Sequence, residues 1–300
     1  MEKLLFTGAS GFVGRNILSR LRADFESVTT LGHLDSDDLT VNLAKTIPKL
    51  SNHYDIVLHA AGKAHVVPKT SGEEQAFYDV NYQGTVNLCK GLEQVGVPKS
   101  LVFISTVAVY GCDEGNLIDE THPLNGTTPY AKSKIMAEKY LIEWCSKNNV
   151  ILTILRPSLL AGVNPPGNLG DMVIGIQKGF YLNIADGKVQ KSILMVDDIV
   201  NLLELAKDKG GVYNVCDTAQ PSIGELSKLI AKQLGKRKPI SIPYWCAKFL
   251  ARVGDVVGKR FPINSLRLSK LTQSLTFSNK KAIESLNWQP LSVLDNFHIK

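Results

Sequence analysis

A doubly wound parallel α/β sheet with a smaller, mostly helical C-terminal lobe is the architecture this chain predicts. Three observations point to it. Short apolar runs alternate with amphipathic helical patterns through the first half, a glycine-rich turn joins the first run to the first helix, and the texture becomes loop-rich after Arg156-Pro157.

The first run, Lys3-Leu4-Leu5-Phe6, reads as a buried parallel strand. It leads into Thr7-Gly8-Ala9-Ser10-Gly11-Phe12-Val13-Gly14, then into Ile17, Leu18 and Leu21 at helical spacing. Strand, glycine turn and helix in that order suit a dinucleotide. Gly8 permits the tight turn, Gly11 lets a pyrophosphate approach the backbone, Gly14 lets the helix pack close to the strand, and the helix N-terminus favours the anion.

Strand-like runs at 27–31, 55–59, 100–104 and 150–155 follow, alternating with helical patterns near 73–96 and 130–147. Such alternation predicts right-handed crossovers and a ligand at the carboxyl ends of the strands, the Rossmann arrangement. Past Pro157, residues 161–170 read as a Pro/Gly/Asn-rich loop before a helix at about 171–179, 193–195 and 212–215 as strands, and 197–208 as a helix between them. Ser222 caps a further helix with Glu225 three residues on, and short helices and loops complete the chain. The expected division is a dinucleotide-binding unit of 1–160 with about 192–215, and a substrate lobe of about 161–191 with 216–300.

Tyr130-Ala-Lys-Ser-Lys134 carries the chemistry. A phenol of unperturbed pKa ~10 is a poor acid or base at neutral pH, but a lysine one helical turn along can bring its ammonium near and favour the phenolate. With the hydroxyls of Ser105 and Thr106 earlier in the chain to hold a substrate oxygen, and the glycine turn to hold a dinucleotide, the combination predicts hydride transfer.

Composition narrows the remaining classes. The 300 residues are 44% hydrophobic, enough for one large domain with an appended lobe. The net charge of +6 is densest at Lys232–Lys238 (KQLGKRK), read as a solvated helix end and turn in preference to a nucleic-acid or anionic-membrane contact, because no aromatics are interleaved. Mild basicity favours an anionic substrate. The five cysteines have neither disulfide nor metal spacing, so reduced thiols and no metal are expected. With no signal peptide and no long apolar run, a cytoplasmic location without a transmembrane segment is expected. Residues 244–253 read as packing in the second lobe, with a membrane-surface amphipathic helix as the alternative.

The segments TGASGFVG (7–14), HAAGKAH (59–65), NYQGT (81–85), STVAVYG (105–111), YAKSK (130–134) and LRPSLLAG (155–162) together resemble the extended short-chain dehydrogenase/reductases of the nucleotide-sugar epimerase/dehydratase type, over nearly the whole length. The resemblance implies that Thr106, rather than Ser105, binds the sugar oxygen, that Tyr130 exchanges a proton with it, and that Lys134 also holds the ribose. It implies dinucleotide contacts from Gly8, Ser10, Gly11, Phe12, Val13, Gly14, Arg15, His33, Asn42, Leu43, Ala60, Ala61, Gly62, Asn81, Tyr130, Lys134 and Pro157, with Ala60 to Gly62 following the third parallel strand. Asn81 as a plain helix-surface amide stays open.

Departures from the family pattern refine this. Where dehydratases of the family place Asp-Glu, this chain has Val107-Ala108, neither able to move a proton. Where 4-epimerases often place asparagine, it has Leu159. Residues 179–200 and 263–288 are similar to bacterial UDP-4-keto-6-deoxy-N-acetylhexosamine reductases, which implies substrate contacts from Thr106, Asn168 and Lys191. The expected activity is thus reduction of the 4-keto group of a UDP-6-deoxy-sugar. A UDP-sugar 4-epimerase retaining NAD is the alternative, and a non-catalytic dinucleotide-binding protein is a third reading. Gly32 stands where an acidic side chain would grip the NAD ribose, while Arg15 and His33 could take a 2′-phosphate. NADP(H) is therefore slightly preferred, with NAD(H) open and Asp35 or Asp37 able to fold back. A homodimer is also left open.

Overall fold

The computed structural model of the protein describes residues 2–64, 66–257 and 265–299. His65, which closes HAAGKAH, and the first two residues of the 263–288 stretch lie outside the described residues.

In chain order the elements are β1 (Lys3–Thr7), α1 (Phe12–Asp24), β2 (Ser27–Gly32), β3 (Leu39–Thr40), β4 (Ile56–His59), α2 (Ser71–Tyr78), α3 (Gly84–Val95), β5 (Ser100–Ile104), β6 (Gly115–Ile118), α4 (Pro129–Asn148), β7 (Ile151–Pro157), β8 (Leu159–Ala161), α5 (Gly167–Gln177), β9 (Asn183–Ile184), β10 (Ile193–Met195), α6 (Asp198–Ala206), β11 (Gly211–Val215), α7 (Ile223–Gln233), β12 (Ser241–Ile242), α8 (Tyr244–Val257), α9 (Ser265–Thr272), β13 (Leu275–Phe277), α10 (Lys280–Leu286) and α11 (Val293–Asn296).

Seven strands form one parallel sheet in the order β11-β7-β5-β4-β1-β2-β3. The order reverses beside β1, where the chain steps outward first through β2 and β3 and then through β4, β5 and β7. Such a switch point opens a crevice at the carboxyl ends of the strands. Consecutive side chains of a strand point to opposite faces, and β1 shows the consequence. Leu4 and Phe6 join a core with Ile17 and Leu21 of α1, Ile199 and Leu203 of α6, and Trp288, whereas Leu5 joins the opposite core with Leu88 and Leu92 of α3 and Leu141 and Trp144 of α4. A third core, with Leu169 and Met172 of α5, Leu226 and Ile230 of α7, and Val293 and Phe297, belongs to the smaller lobe.

Several details differ from the sequence-based expectation. Six short strands, β3, β6, β8, β9, β12 and β13, have two to four residues each and are too brief to show a period. The loop after His59 therefore follows the fourth strand in chain order, not the third. β10 pairs with β8 in a separate two-stranded sheet. The helix expected at 171–179 begins at Gly167, so Asn168 lies in its first turn and not in a preceding loop. The Ser222–Glu225 capping box forms as expected. Near the C-terminus, Trp288 and Leu286 pack into the first core, where Asp198 accepts from Trp288 Nε1 (3.3 Å) and Leu291 N (3.0 Å). No helix among the described residues is long and apolar enough to cross a membrane.

Candidate active site

The crevice begins with the turn after β1. Gly8 adopts φ +85°, and a Cβ there would stand 2.6 Å from the Ala61 backbone nitrogen, so glycine is required where the β1 and β4 loops touch. A Cβ on Gly14 would meet Ala9 at 2.2 Å, hence the close seating of α1 on its strand. Gly11 differs, since a Cβ there would meet only Gly8 O, at 3.2 Å, and otherwise project into open space. Gly11 is also the N-cap of α1, with no side-chain cap and no acidic residue in the first turn. The amide N–H groups of Phe12, Val13 and Gly14 therefore remain for an anion. Arg15 is exposed beside them and donates to Ser10 O at 2.9 Å. The cradle fits a dinucleotide pyrophosphate.

Behind it, a buried chain of hydrogen bonds ties the β4 loop to the neighbouring helix. Ala61 N donates to Thr7 Oγ1 (3.2 Å), which lies 2.7 Å from His59 Nδ1, and His59 Nε2 lies 2.9 Å from Thr85 Oγ1. Because the Thr85 hydroxyl donates its own proton to Asn81 O (2.7 Å), it must accept from His59, which sets the Nε2–H tautomer and leaves Nδ1 to accept from Thr7. Burial, with the Lys134 charge nearby, pushes the His59 pKa down to about 3, in keeping with a neutral ring. His59 was not singled out from the sequence, where one histidine at a strand end carries no distinguishing pattern.

Asn81 is not a surface amide. It sits in a π-helical turn, Asp79–Gln83, between α2 and α3, and is buried. Its side chain accepts from Lys63 N (2.7 Å) and donates to Lys63 O (3.1 Å) and Ser133 Oγ (2.9 Å). The extra residue in the turn lets Asn81 bond inward to both the β4 loop and α4.

Three expected catalytic residues meet at the carboxyl edge of β5. Thr106, extended at φ −167°, caps the short 3₁₀ turn Val107–Tyr110 by accepting from Ala108 N at 3.1 Å. Thr128 caps α4 by accepting from Ala131 N, with Pro129 at its start, and this places Tyr130 in the first turn. The Thr106 hydroxyl neighbours the Tyr130 phenol closely enough to lower its pKa. Lys134 Nζ donates to Ile104 O at 2.8 Å and lies 4.4 Å from the Phe103 ring centroid. A Cβ on Gly62 would stand 3.3 Å from that ammonium, so the β4 loop reaches the same point.

The electrostatics differ from the simple expectation of an ammonium-depressed phenol. Burial raises the Tyr130 pKa, and the neighbouring Thr106 hydroxyl only partly opposes it. Burial likewise lowers Lys134, to about 8, against the pull of Glu138. The lysine donates to a backbone carbonyl, and the balance leaves the phenol above its ordinary pKa.

Ser105, which the resemblance leaves out of the sugar contact, donates to Glu138 Oε1. Glu138 is paired with Arg156 at 2.6 Å (Nη2–Oε2) and 3.1 Å (Nε–Oε1). Arg156 Nη1 also donates to the Tyr110 hydroxyl (3.0 Å), which donates to Asn214 Oδ1 (2.7 Å). Asn16 of α1 was likewise missed. It receives Val163 N at 2.8 Å and so anchors the loop after β8 to the dinucleotide-binding helix.

The outlying expectations separate. Pro157 is buried at the end of β7. Leu43 is buried in the α3–α4 core, with its carbonyl taken by Asn87 Nδ2 (2.7 Å), whereas Asn42 beside it is exposed. Asn168 is exposed on α5, and Lys191 bridges Leu275 on the smaller lobe. At the tip of β2, His33 is exposed, and the fold-back left open for Asp35 or Asp37 falls to Asp37. Asp37 folds back so that its Oδ2 would lie 2.2 Å from a Cβ on Gly32, held by Leu34 N at 3.1 Å.

The architecture and this cleft define an NAD(P)-dependent enzyme of the Rossmann type. The chain belongs to the NAD dependent epimerase/dehydratase family, whose model matches residues 4–216. Among curated relatives it is 31% identical to the N-acetyl-α-D-glucosaminyl-diphospho-ditrans,octacis-undecaprenol 4-epimerase of Escherichia coli O157:H7, over 95% of this chain and 89% of that one. It is 30% identical to the GDP-6-deoxy-D-mannose reductase of Pseudomonas aeruginosa, over 77% of this chain and 79% of that one. Among solved structures, RMD from Pseudomonas aeruginosa complexed with NADPH has the same fold, with a TM-score of 0.74 at 21% identity, covering 99% of this chain and 96% of that one.

Proposed function

We propose that this enzyme reduces the 4-keto group of a nucleotide-diphosphate-linked 6-deoxy-sugar, with a UDP-linked sugar as the first choice. The observation that carries the reading is the placement of Thr106, Tyr130 and Lys134 together at the carboxyl edge of β5, with burial raising the Tyr130 pKa. A bound reduced nicotinamide supplies the hydride. Thr106 orients the sugar oxygen, Tyr130 gives its phenolic proton to that oxygen as the C4 alcohol forms, and Lys134 stabilises the phenolate left behind. A protonated phenol is the form that reduction needs at the start. Val107 and Ala108 give no acid or base for dehydration, and the partly exposed Leu159 gives no amide at the epimerase position.

In this reading, 1–160 with about 192–215 holds the dinucleotide and 161–191 with 216–300 holds the sugar, through Asn168 and Lys191. The Asp37 carboxylate at the end of β2 favours the ribose diol of NAD(H) over the 2′-phosphate of NADP(H), despite Arg15 and His33 nearby.

A second reading is supported by the relative from Escherichia coli: 4-epimerisation of a diphosphate-linked sugar, with the cofactor retained and the hydride returned to the other face. Incubating the purified enzyme with a UDP-4-keto-6-deoxy-N-acetylhexosamine and NADH or NADPH tests the choice. Stoichiometric oxidation of the cofactor supports the reductase. In a second arm with the corresponding 4-hydroxy UDP-N-acetylhexosamine, conversion to the C4 epimer with no net change in cofactor rejects the reductase in favour of the epimerase.

A further inference from the structure

Helix α8 is built the wrong way round for a helix in water. It turns Ala247, Ala251 and Gly254 to the protein and presents Trp245 and Phe249 to solvent, 71% and 66% exposed. The expectation that residues 244–253 pack within the lobe therefore holds only for its small side chains. Trp245, Phe249 and Arg252 fall on one stripe at i, i+4 and i+7, with Lys248 on its flank. The apolar surface continues beyond the helix. Ile240, 71% exposed, precedes β12, and the β9–β12 register of Asn183 with Ser241 sets it beside the exposed Leu182, two residues after the exposed Phe180.

The surrounding charge is predominantly positive, with the exposed Asp186 just after β9 as the exception. Segments 172–185 and 236–252 contain Lys178, Lys236, Arg237, Lys238, Lys248 and Arg252, and no acidic residue. All six are exposed, and none makes a side-chain hydrogen bond or ion pair with a described residue. Asp255, the acid of α8, is occupied by Ser265 N and Oγ. An aromatic ridge bordered by unpaired cations matches the boundary of an anionic bilayer, where Trp and Phe enter the headgroup layer and Lys and Arg meet lipid phosphates. A protein partner with an apolar pocket would have no comparable use for six unpaired bases along the rim.

We propose that the face formed by α8 and the β9–β12 strand pair docks this enzyme on an anionic phospholipid membrane surface, with Trp245 and Phe249 inserted and the basic residues against the headgroups. This concerns where the protein sits and stands under either reading of the substrate above.

The chain carries its own reporter. Of its three tryptophans, Trp144 and Trp288 are buried and Trp245 is exposed, so an emission change on membrane contact reads Trp245. The full-length protein is mixed with phosphatidylcholine vesicles with and without phosphatidylglycerol. The expected result is co-sedimentation with the anionic vesicles, weakened by salt, with a blue shift of the tryptophan emission. Trp245→Glu/Phe249→Glu should lose at least about tenfold in vesicle affinity, and Lys248→Glu and Arg252→Glu about fivefold each on anionic vesicles. All should keep the wild-type melting temperature and turnover of a water-soluble sugar nucleotide, since none belongs to the active site. Absence of vesicle binding by the wild type overturns the proposal, as does undiminished binding by the Trp245/Phe249 variant. A dimer in light scattering that Phe249→Glu dissociates also overturns it, by assigning the face to a second copy.

Discussion

Glu138 and Arg156 meet in a fully buried, two-point ion pair directly behind Ser105 and the catalytic edge of β5, with Nη2–Oε2 at 2.6 Å. Two opposite charges removed from water are tolerated only while they face each other. Arg156→Met alone leaves the carboxylate unpaired and is expected to cost about 3–5 kcal/mol of stability, whereas the apolar double variant Glu138→Leu/Arg156→Met recovers much of it. Denaturant unfolding of the two single variants and the double variant checks this. Equal stability of the Arg156→Met variant and wild type would refute it.

The same carboxylate tunes the active site at a distance. Lys134 has its pKa lowered to about 8 by burial, and Glu138 resists that lowering. The ammonium form is the one that stabilises the Tyr130 phenolate, so kcat/KM is expected to fall as pH rises through about 8. Glu138→Gln should move this alkaline limb to lower pH. Thermodynamically the sign is the reverse: between about pH 8 and the ordinary lysine range the unfolded chain binds the extra proton, so this group makes the protein more stable as pH rises. Activity and stability profiles that run parallel in this window would argue against the assignment.

Tyr130→Phe removes the proton donor and leaves the ring and its contact with Phe77. The expected loss is about 10²–10⁴ in kcat with little change in KM for the sugar and an unchanged melting temperature. A variant with full turnover would remove Tyr130 from the chemistry.

His59 predicts an acid sensitivity. Its folded pKa of about 3 lies below its ordinary value of 6.5, so between these limits the unfolded chain holds the additional proton and stability falls as the solution is acidified. Going from pH 7 to pH 4.5 should cost about 2 kcal/mol through this residue alone. His59→Gln, which retains both hydrogen-bonding roles, should show a correspondingly shallower decline in urea unfolding at the two pH values.

Cofactor binding separates the glycines from the carboxylate. Gly8→Ala should destabilise the fold, because its Cβ would enter the Ala61 backbone, while Gly11→Ala should fold normally and bind dinucleotide at least about tenfold more weakly by calorimetry, its methyl group standing in the cradle. Asp37→Asn should raise kcat/KM for NADPH relative to NADH by a comparable factor. An unchanged ratio would show that Asp37 does not read the ribose.

The glycine turn, the strand-helix alternation and the Tyr130–Lys134 spacing are local properties, and the sequence alone settled them: β1, the seat of α1 and the start of α4 depend on neighbours in the chain. Thr106 also emerged, because its segment keeps a recognisable spacing. His59, Asn16 and Glu138 did not, since each acts through partners 18 to 147 residues away and is, within its own segment, an ordinary polar residue; Asn81 emerged only with a surface amide left open, which its burial against Lys63 and Ser133 then excluded. Asp37 shows the same limit at short range, because the sequence left either Asp35 or Asp37 able to fold back on Gly32 and only the folded loop placed Asp37 there. The tertiary structure also set the direction in which the phenol pKa moves, for desolvation depends on how many atoms surround a group and not on which residues adjoin it. Likewise, helical periodicity marked α8 as amphipathic, but only packing determined that its alanines face the protein and its aromatics face the solvent.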